Sequence, residues 1–275
     1  MARIIEYPFP VGAVLTRVLE VGRGKECVLF LHGLGARADR WRLTLPTFAK
    51  AGYRCLAMDL PGHGFAAKGA GTPCSVPEFA ALLGALLAAM GLDRVHLVGT
   101  SLGGHVAAYF TCENPDKVCS LTLVGAVGLI PIGRQAGDAI RQAVIETGRD
   151  SIDGKMRFVF ANHDLIDEAF VEEEYRINNS PGAATGFRRL GDYIAEEIDR
   201  DNVGERLAGL ANRPPVLLVW GALDKAVPPA IGEQAQALLG DVPLILVPEA
   251  GHAPYLERPD AFDPPVLRFI SSTFG

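Results

Sequence analysis

Several things are scarce in this sequence, and each scarcity closes off a class of protein. Of its 275 residues only five are cysteine, Cys27, Cys55, Cys74, Cys112 and Cys119, with no CxxC pair and no Cys/His spacing of a zinc site. A disulfide framework and a structural metal are therefore not expected, no cofactor is implied, and a reduced, cytoplasmic setting fits this usage. Long apolar runs are also missing. The longest, Phe79 to Leu92, contains Gly84 and Gly91, and it reads as a buried helix rather than a membrane span. The opening MARIIEYPFPVG carries charge and proline where a signal peptide needs a continuous apolar stretch. Nor is there an excess of positive charge: 26 Lys and Arg stand against 32 Asp and Glu, for a net charge of -6. The basic residues are scattered, so nucleic acid is not an expected partner and a small molecule is. Whether the chain forms a homo-oligomer is left open.

What is present is an ordinary globular composition, 49% hydrophobic and 21% charged, enough for one large domain or a core with an insertion. Short runs of β-branched and aliphatic residues recur between Gly and Pro: Cys27 to His32, Tyr53 to Asp59, Val95 to Gly99, Val118 to Val124, Val216 to Trp220 and Leu244 to Val247. Most lack alternation, as strands of a parallel sheet covered on both faces do. The segment from Ile4 to Leu19 adds one or two antiparallel edge strands. With helical patterns between the runs, the expectation is an α/β fold with a mostly parallel sheet flanked by helices. Between Val127 and Arg213 the character changes: charge becomes dense, apolar residues fall at helical spacing, and no core strand is evident. Pro131 and two glycines open this stretch, and Pro214 and Pro215 follow it. The expected organisation is a core of residues 1–126 and 214–275 with a helical cap of residues 127–213 inserted.

The chemistry is concentrated at a few loops. The run VHLVG leads directly into Gly99-Thr100-Ser101-Leu102-Gly103 and then a helical pattern. A GxSxG at such a strand-turn-helix junction holds its serine hydroxyl clear of the sheet, with glycines where neighbouring side chains would collide. A serine hydroxyl is a weak nucleophile at neutral pH and needs a base, which in turn needs an orienting carboxylate. His252 and Asp224 each follow one of the last two strands, and the order Ser101, Asp224, His252 matches strand-to-helix serine hydrolases. His32, His63, His96 and His105 read as structural, and His163 lies in the cap without a nucleophile near it in sequence. Backbone amides of Leu102, next to the nucleophile, and Leu34, in His32-Gly33-Leu34-Gly35, are the expected oxyanion donors.

With HGLG, DLPGHG, GTSLGG, GALD and EAGH in these positions, the chain resembles the α/β-hydrolase superfamily over residues 24–126 and 214–275. It is most similar to the meta-cleavage-product hydrolases, which cut carbon-carbon bonds in vinylogous 1,5-diketones. That resemblance rests further on the cap stretch DLIDEAFVEEEYRINNSPGAATGFRRL and on Trp41 beyond the oxyanion loop. It implies a cofactor-free reaction on a small acidic carbonyl substrate, with Trp41, Arg176 and Arg188 at the substrate and Arg189 a further candidate. The chain differs from those enzymes at Thr100, where they usually have Asn, at Ala253, where they have Trp, and in placing Glu174 before Tyr175 and Arg176 after it. A carboxylesterase or lactonase, or a slow small-molecule receptor on the same fold, would share the core residues. Haloalkane dehalogenases and epoxide hydrolases are excluded, since their nucleophile is Asp and this position is Ser101.

Overall fold

Alternate residues of the central strands point into two separate apolar layers. In β3 (Cys27–Leu31), Cys27, Leu29 and Leu31 join one layer and Val28 and Phe30 the other. In β7 (Val216–Gly221), Val216, Leu218 and Trp220 are divided from Leu217 and Val219 in the same way. Such strands show continuous apolar runs because both faces are covered. The computed structural model describes residues 3–240 and 242–273. Its sheet has eight strands in the order β1-β2-β4-β3-β5-β6-β7-β8. The remaining strands are β1 (Ile5–Val11), β2 (Val14–Val21), β4 (Arg54–Met58), β5 (Val95–Thr100), β6 (Val118–Val124) and β8 (Leu244–Val247). β1 pairs antiparallel with β2 and β2 with β4, while every pairing from β4 to β8 is parallel.

The helices are α1 (Thr44–Lys50), α2 (Val76–Ala89), α3 (Leu102–Glu113), α4 (Arg134–Ile145), α5 (Arg149–Val159), α6 (Glu168–Asn178), α7 (Ala183–Glu196), α8 (Gly204–Ala208), α9 (Pro229–Leu238), α10 (Pro254–Glu257) and α11 (Pro259–Ser272). One layer packs Phe79 and Leu83 of α2 and Val106 and Phe110 of α3 against the sheet; the other packs Leu45 and Phe48 of α1 and Phe262, Val266 and Ile270 of α11. The start of α2 is set locally. Ser75 accepts from the Glu78 amide while the Glu78 carboxylate accepts from the Ser75 amide, a reciprocal capping box.

Between β6 and β7 the described chain has only helices and turns, α4 to α8. Leu190, Tyr193 and Ile194 of α7 join the α2/α3 layer, whereas Val144, Ala183 and Phe187 form a small cluster of their own beside Leu34. The insertion thus lies over the carboxyl ends of the parallel strands, where open α/β sheets place their ligands. No helix among the described residues is long and apolar enough to cross a membrane.

Candidate active site

Ser101 follows β5 directly and takes φ 53° and ψ -119°, a backbone conformation costly for a residue with a side chain. The surrounding contacts impose it. Its amide donates to Val124 O at 2.9 Å and its carbonyl accepts from the His105 amide at 3.1 Å. A Cβ on Gly99 would run into the Gly103 carbonyl and come within 2.8 Å of Gly104 Cα, and one on Gly104 would lie 2.6 Å from the Ala126 side chain. Glycine at these positions lets α3 leave the sheet at once, so the serine sits at the helix N-terminus, where first-turn amides have no partner inside the helix.

His252 and Asp224 meet on the neighbouring side of the sheet. Asp224 Oδ2 accepts from His252 Nδ1 at 2.7 Å, and its Oδ1 accepts from the amides of Ala226 and Val227, both at 2.9 Å. A carboxylate only accepts, so Nδ1 carries a proton, and in the neutral ring the lone pair is then on Nε2. The Asp224 side chain is fully buried and that of His252 is 12% exposed. Ser101 and His252 line the same cavity, of about 400 Å³.

The loop His32-Gly33-Leu34-Gly35 is held from below by a histidine. His32 Nδ1 donates to Gly33 O at 2.8 Å and its Nε2 accepts from the Leu60 amide at 2.8 Å. Burial lowers its pKa from 6.5 to about 4, so the ring is neutral and its two roles stay fixed. A Cβ on Gly33 would stand 3.0 Å from Ser101 Cβ, which shows how closely this loop passes the serine. Leu34 and Gly35 line the cavity beside Ser101, and Leu102 opens α3.

The cavity wall is mostly apolar, with Ile130, Ile140, Met156, Phe158 and Ile231 among its residues; besides Ser101 and His252 its polar members are Thr147, Lys155, Glu174 and Asn178. Lys155 Nζ donates to Ala143 O at 3.0 Å and Glu146 O at 2.5 Å, and burial lowers its pKa. Glu174 accepts from Arg40 at 2.8 Å and from Arg37, all three being buried.

The structure does not bring Trp41, Arg176 or Arg188 to this cavity. Trp41 is fully buried, stacked on Tyr255 with ring centroids 4.0 Å apart, and serves as core. Arg176 has a 77% exposed side chain and pairs with Glu172 at 2.7 Å. Helical geometry explains it: residues two apart point to nearly opposite sides, so a helix that turns Glu174 inward turns Arg176 outward. Arg188 is exposed, and Arg189 donates to Thr72 O at 2.6 Å. Lys155 and Glu174, which sequence reasoning did not single out as site residues, stand in the wall instead, and only helical phase within α5 and α6 would have pointed to them. Of the other histidines, His63, His96 and His105 are buried, and His163 Nε2 bonds to Arg157 O at 3.1 Å. Among the described residues no group of three or more His, Cys, Asp or Glu could hold a metal ion.

Residues 26–259 match the family model described as alpha/beta hydrolase fold. The chain is 30% identical over 260 residues to the dihydrolipoyllysine-residue acetyltransferase component of the acetoin cleaving system of Cupriavidus necator, covering 92% of this chain and 66% of that one. It therefore spans just under two thirds of that relative's length. It is also 30% identical over 264 residues to a 2-hydroxy-6-oxononadienedioate/2-hydroxy-6-oxononatrienedioate hydrolase of Pseudomonas putida, covering 91% and 90% of the two chains. Among solved structures, the 2-hydroxy-6-oxo-6-phenylhexa-2,4-dienoate hydrolase of a Rhodococcus species superposes with a TM-score of 0.88 at 22% identity over 98% of this chain and 100% of that one. At that identity the likeness concerns the fold.

Proposed function

The chain belongs to the α/β-hydrolase family, and within it we propose a serine hydrolase that cleaves a small carbonyl compound with an apolar body by a Ser101-His252-Asp224 triad. The observation that carries this reading is one cavity lined by Ser101, in its strained turn, and by His252, whose Nδ1 is bonded to Asp224. His252 Nε2 takes the Ser101 hydroxyl proton as Oγ attacks the carbonyl carbon. The Leu34 and Leu102 amides receive the oxyanion; collapse breaks the bond to the leaving group, which takes the proton from His252, and water then releases the acyl group from Ser101 by the reverse sequence.

For the bond cleaved, we favour the carbon-carbon bond of a meta-cleavage product. The support is the similarity to hydrolases of that name over nine tenths of both chains. In such a substrate the leaving carbon is expelled as a stabilised enolate after ketonisation of the dienol, which Ser101 and His252 would assist. A second reading, ester or lactone hydrolysis, is favoured by the wall itself, which is largely apolar and contains no arginine among its described residues. A panel of ring-fission 1,5-diketones, lactones and p-nitrophenyl esters separates the two. Meta-cleavage activity requires kcat/KM for a diketone well above that for any ester. Esters turned over faster than every diketone would leave the second reading, and stoichiometric release without turnover would point to a receptor.

A further inference from the structure

Glu257 closes α10 and is buried, 6% exposed as a residue. Among the described residues no Lys, Arg or His forms an ion pair with it. Its partners are backbone amides from two separate parts of the chain. Oε2 accepts from Ala161 at 2.7 Å and Asn162 at 3.0 Å, just beyond α5 of the insertion. Oε1 accepts from Gly251 at 3.0 Å and Ala253 at 3.3 Å, the two neighbours of His252. The His252 amide itself donates to Val159 O, the last residue of α5, at 2.8 Å. The segments touch so closely that a Cβ on Gly251 would lie 2.5 Å from Val159 O and 2.7 Å from Ala161 N.

A buried carboxylate held by four amides binds them strongly, because charge-assisted hydrogen bonds exceed neutral ones and each amide left unpaired carries its full desolvation cost. The end of α5 and the loop carrying His252 are thereby joined into one unit. We propose that Glu257 is a positioning residue, which makes the placement of His252 against Ser101 conditional on the seating of the insertion. This rests on the serine-hydrolase reading above. A base displaced by about 1 Å loses about 100-fold in rate, so the insertion acts on the chemical step as well as roofing the cavity.

The test compares the full chain with Glu257→Gln, Asn162→Pro and Ser101→Ala, using p-nitrophenyl butyrate turnover, the rate of fluorophosphonate labelling, and hydrogen exchange. Gln keeps the shape but turns an NH₂ toward one pair of donors. Asn162 has φ -88°, close to the range of proline, so that change deletes one donor on the insertion, together with the Asn162 side-chain cap on the Asp164 amide, without touching the loop of His252. Glu257→Gln should lower kcat about 10- to 100-fold, with KM within about twofold and labelling slowed by the same factor. Amides of residues 159–162 and 251–253 should lose protection together, and Asn162→Pro should lower kcat in the same sense. A folded Glu257→Gln protein with wild-type kcat, or one altered in KM alone, overturns the proposal. Should that variant not fold, wild-type kcat in Asn162→Pro overturns it equally. Turnover surviving in Ser101→Ala would instead overturn the serine reading, which separates the two failures.

Discussion

Ser101 and His252 face one cavity, yet they are held by different parts of the molecule. The serine is fixed inside the core, by β6 through Val124 and by α3 through His105, and its glycine neighbours pack against sheet and helix backbone. The histidine is held on one side by the core through Asp224 and on the other by the insertion through Val159 and the Glu257 amide cluster. A change in how the insertion sits would therefore reach His252 first and leave Ser101 in place. The insertion is also attached on the serine side, but by charge: Glu174 of α6 receives Arg37 and Arg40 from the stretch just after the His32–Gly35 loop. One attachment is a cluster of backbone amides and the other a buried ion network, and they should fail under different conditions.

The largest effect is expected at the serine. Ser101→Ala should lower kcat by about 10⁴-fold or more on any verified substrate, because removing one member of a triad forfeits the action of all three. Its melting temperature should stay close to that of the parent, since the hydroxyl is not part of what holds the turn. Full activity in this variant would undo the distinction between a core-held nucleophile and a shared base.

Next in size is the ionic attachment. Glu174→Ala would leave the buried Arg40 guanidinium without an ion-pair partner among the described residues and take one of three carboxylates from Arg37, and breaking a buried pair in this way costs about 3 to 5 kcal/mol. Urea unfolding at pH 7 measures it. A loss below about 1 kcal/mol would mean that Arg37 finds enough support in Asp39 and Glu173, its other partners.

A smaller effect distinguishes the two sides by pH. His32, on the serine side, has its pKa lowered from 6.5 to about 4 by burial. The unfolded chain binds this proton more readily, so the contribution is intact above pH 6.5 and is lost as pH falls toward 4, up to about 3 kcal/mol. Urea unfolding between pH 7 and 4.5 should show the decline, with a shallower slope in His32→Asn. Equal slopes would remove His32 as its source. Smallest of all is Arg176→Ala, exposed and, among the described residues, paired only with Glu172; it should leave the melting temperature unchanged and should not selectively raise KM for acidic substrates. A selective rise would return Arg176 to the site.

The strands were legible in the sequence because burial on both faces leaves unbroken apolar runs such as CVLFL and VLLVW; of the two antiparallel strands expected at the margin, β1 is an edge, whereas β2 is paired on both sides, with β1 and β4. The loops bearing Ser101, Asp224 and His252 were legible because glycines and strand ends mark them. The rest was hidden for physical reasons. A helix-surface arginine and a cavity-facing one look alike until the helix phase is fixed, and α6 turns Glu174 inward. Trp41 follows the His32–Gly35 loop in the chain, but it is stacked on Tyr255, far away in sequence. Glu257 reads as one more surface acid after His252, because nothing in the residue order reveals that four amides converge on it.

The central claim is that Ser101 carries the acyl group with His252 as its base. It is tested most directly by quenching the protein with p-nitrophenyl butyrate within the first turnover and mapping the butyryl adduct by mass spectrometry. The expected result is an adduct on Ser101 that forms at least about 10³-fold more slowly in His252→Ala. An adduct on another residue, or one formed at the same rate without His252, would contradict it.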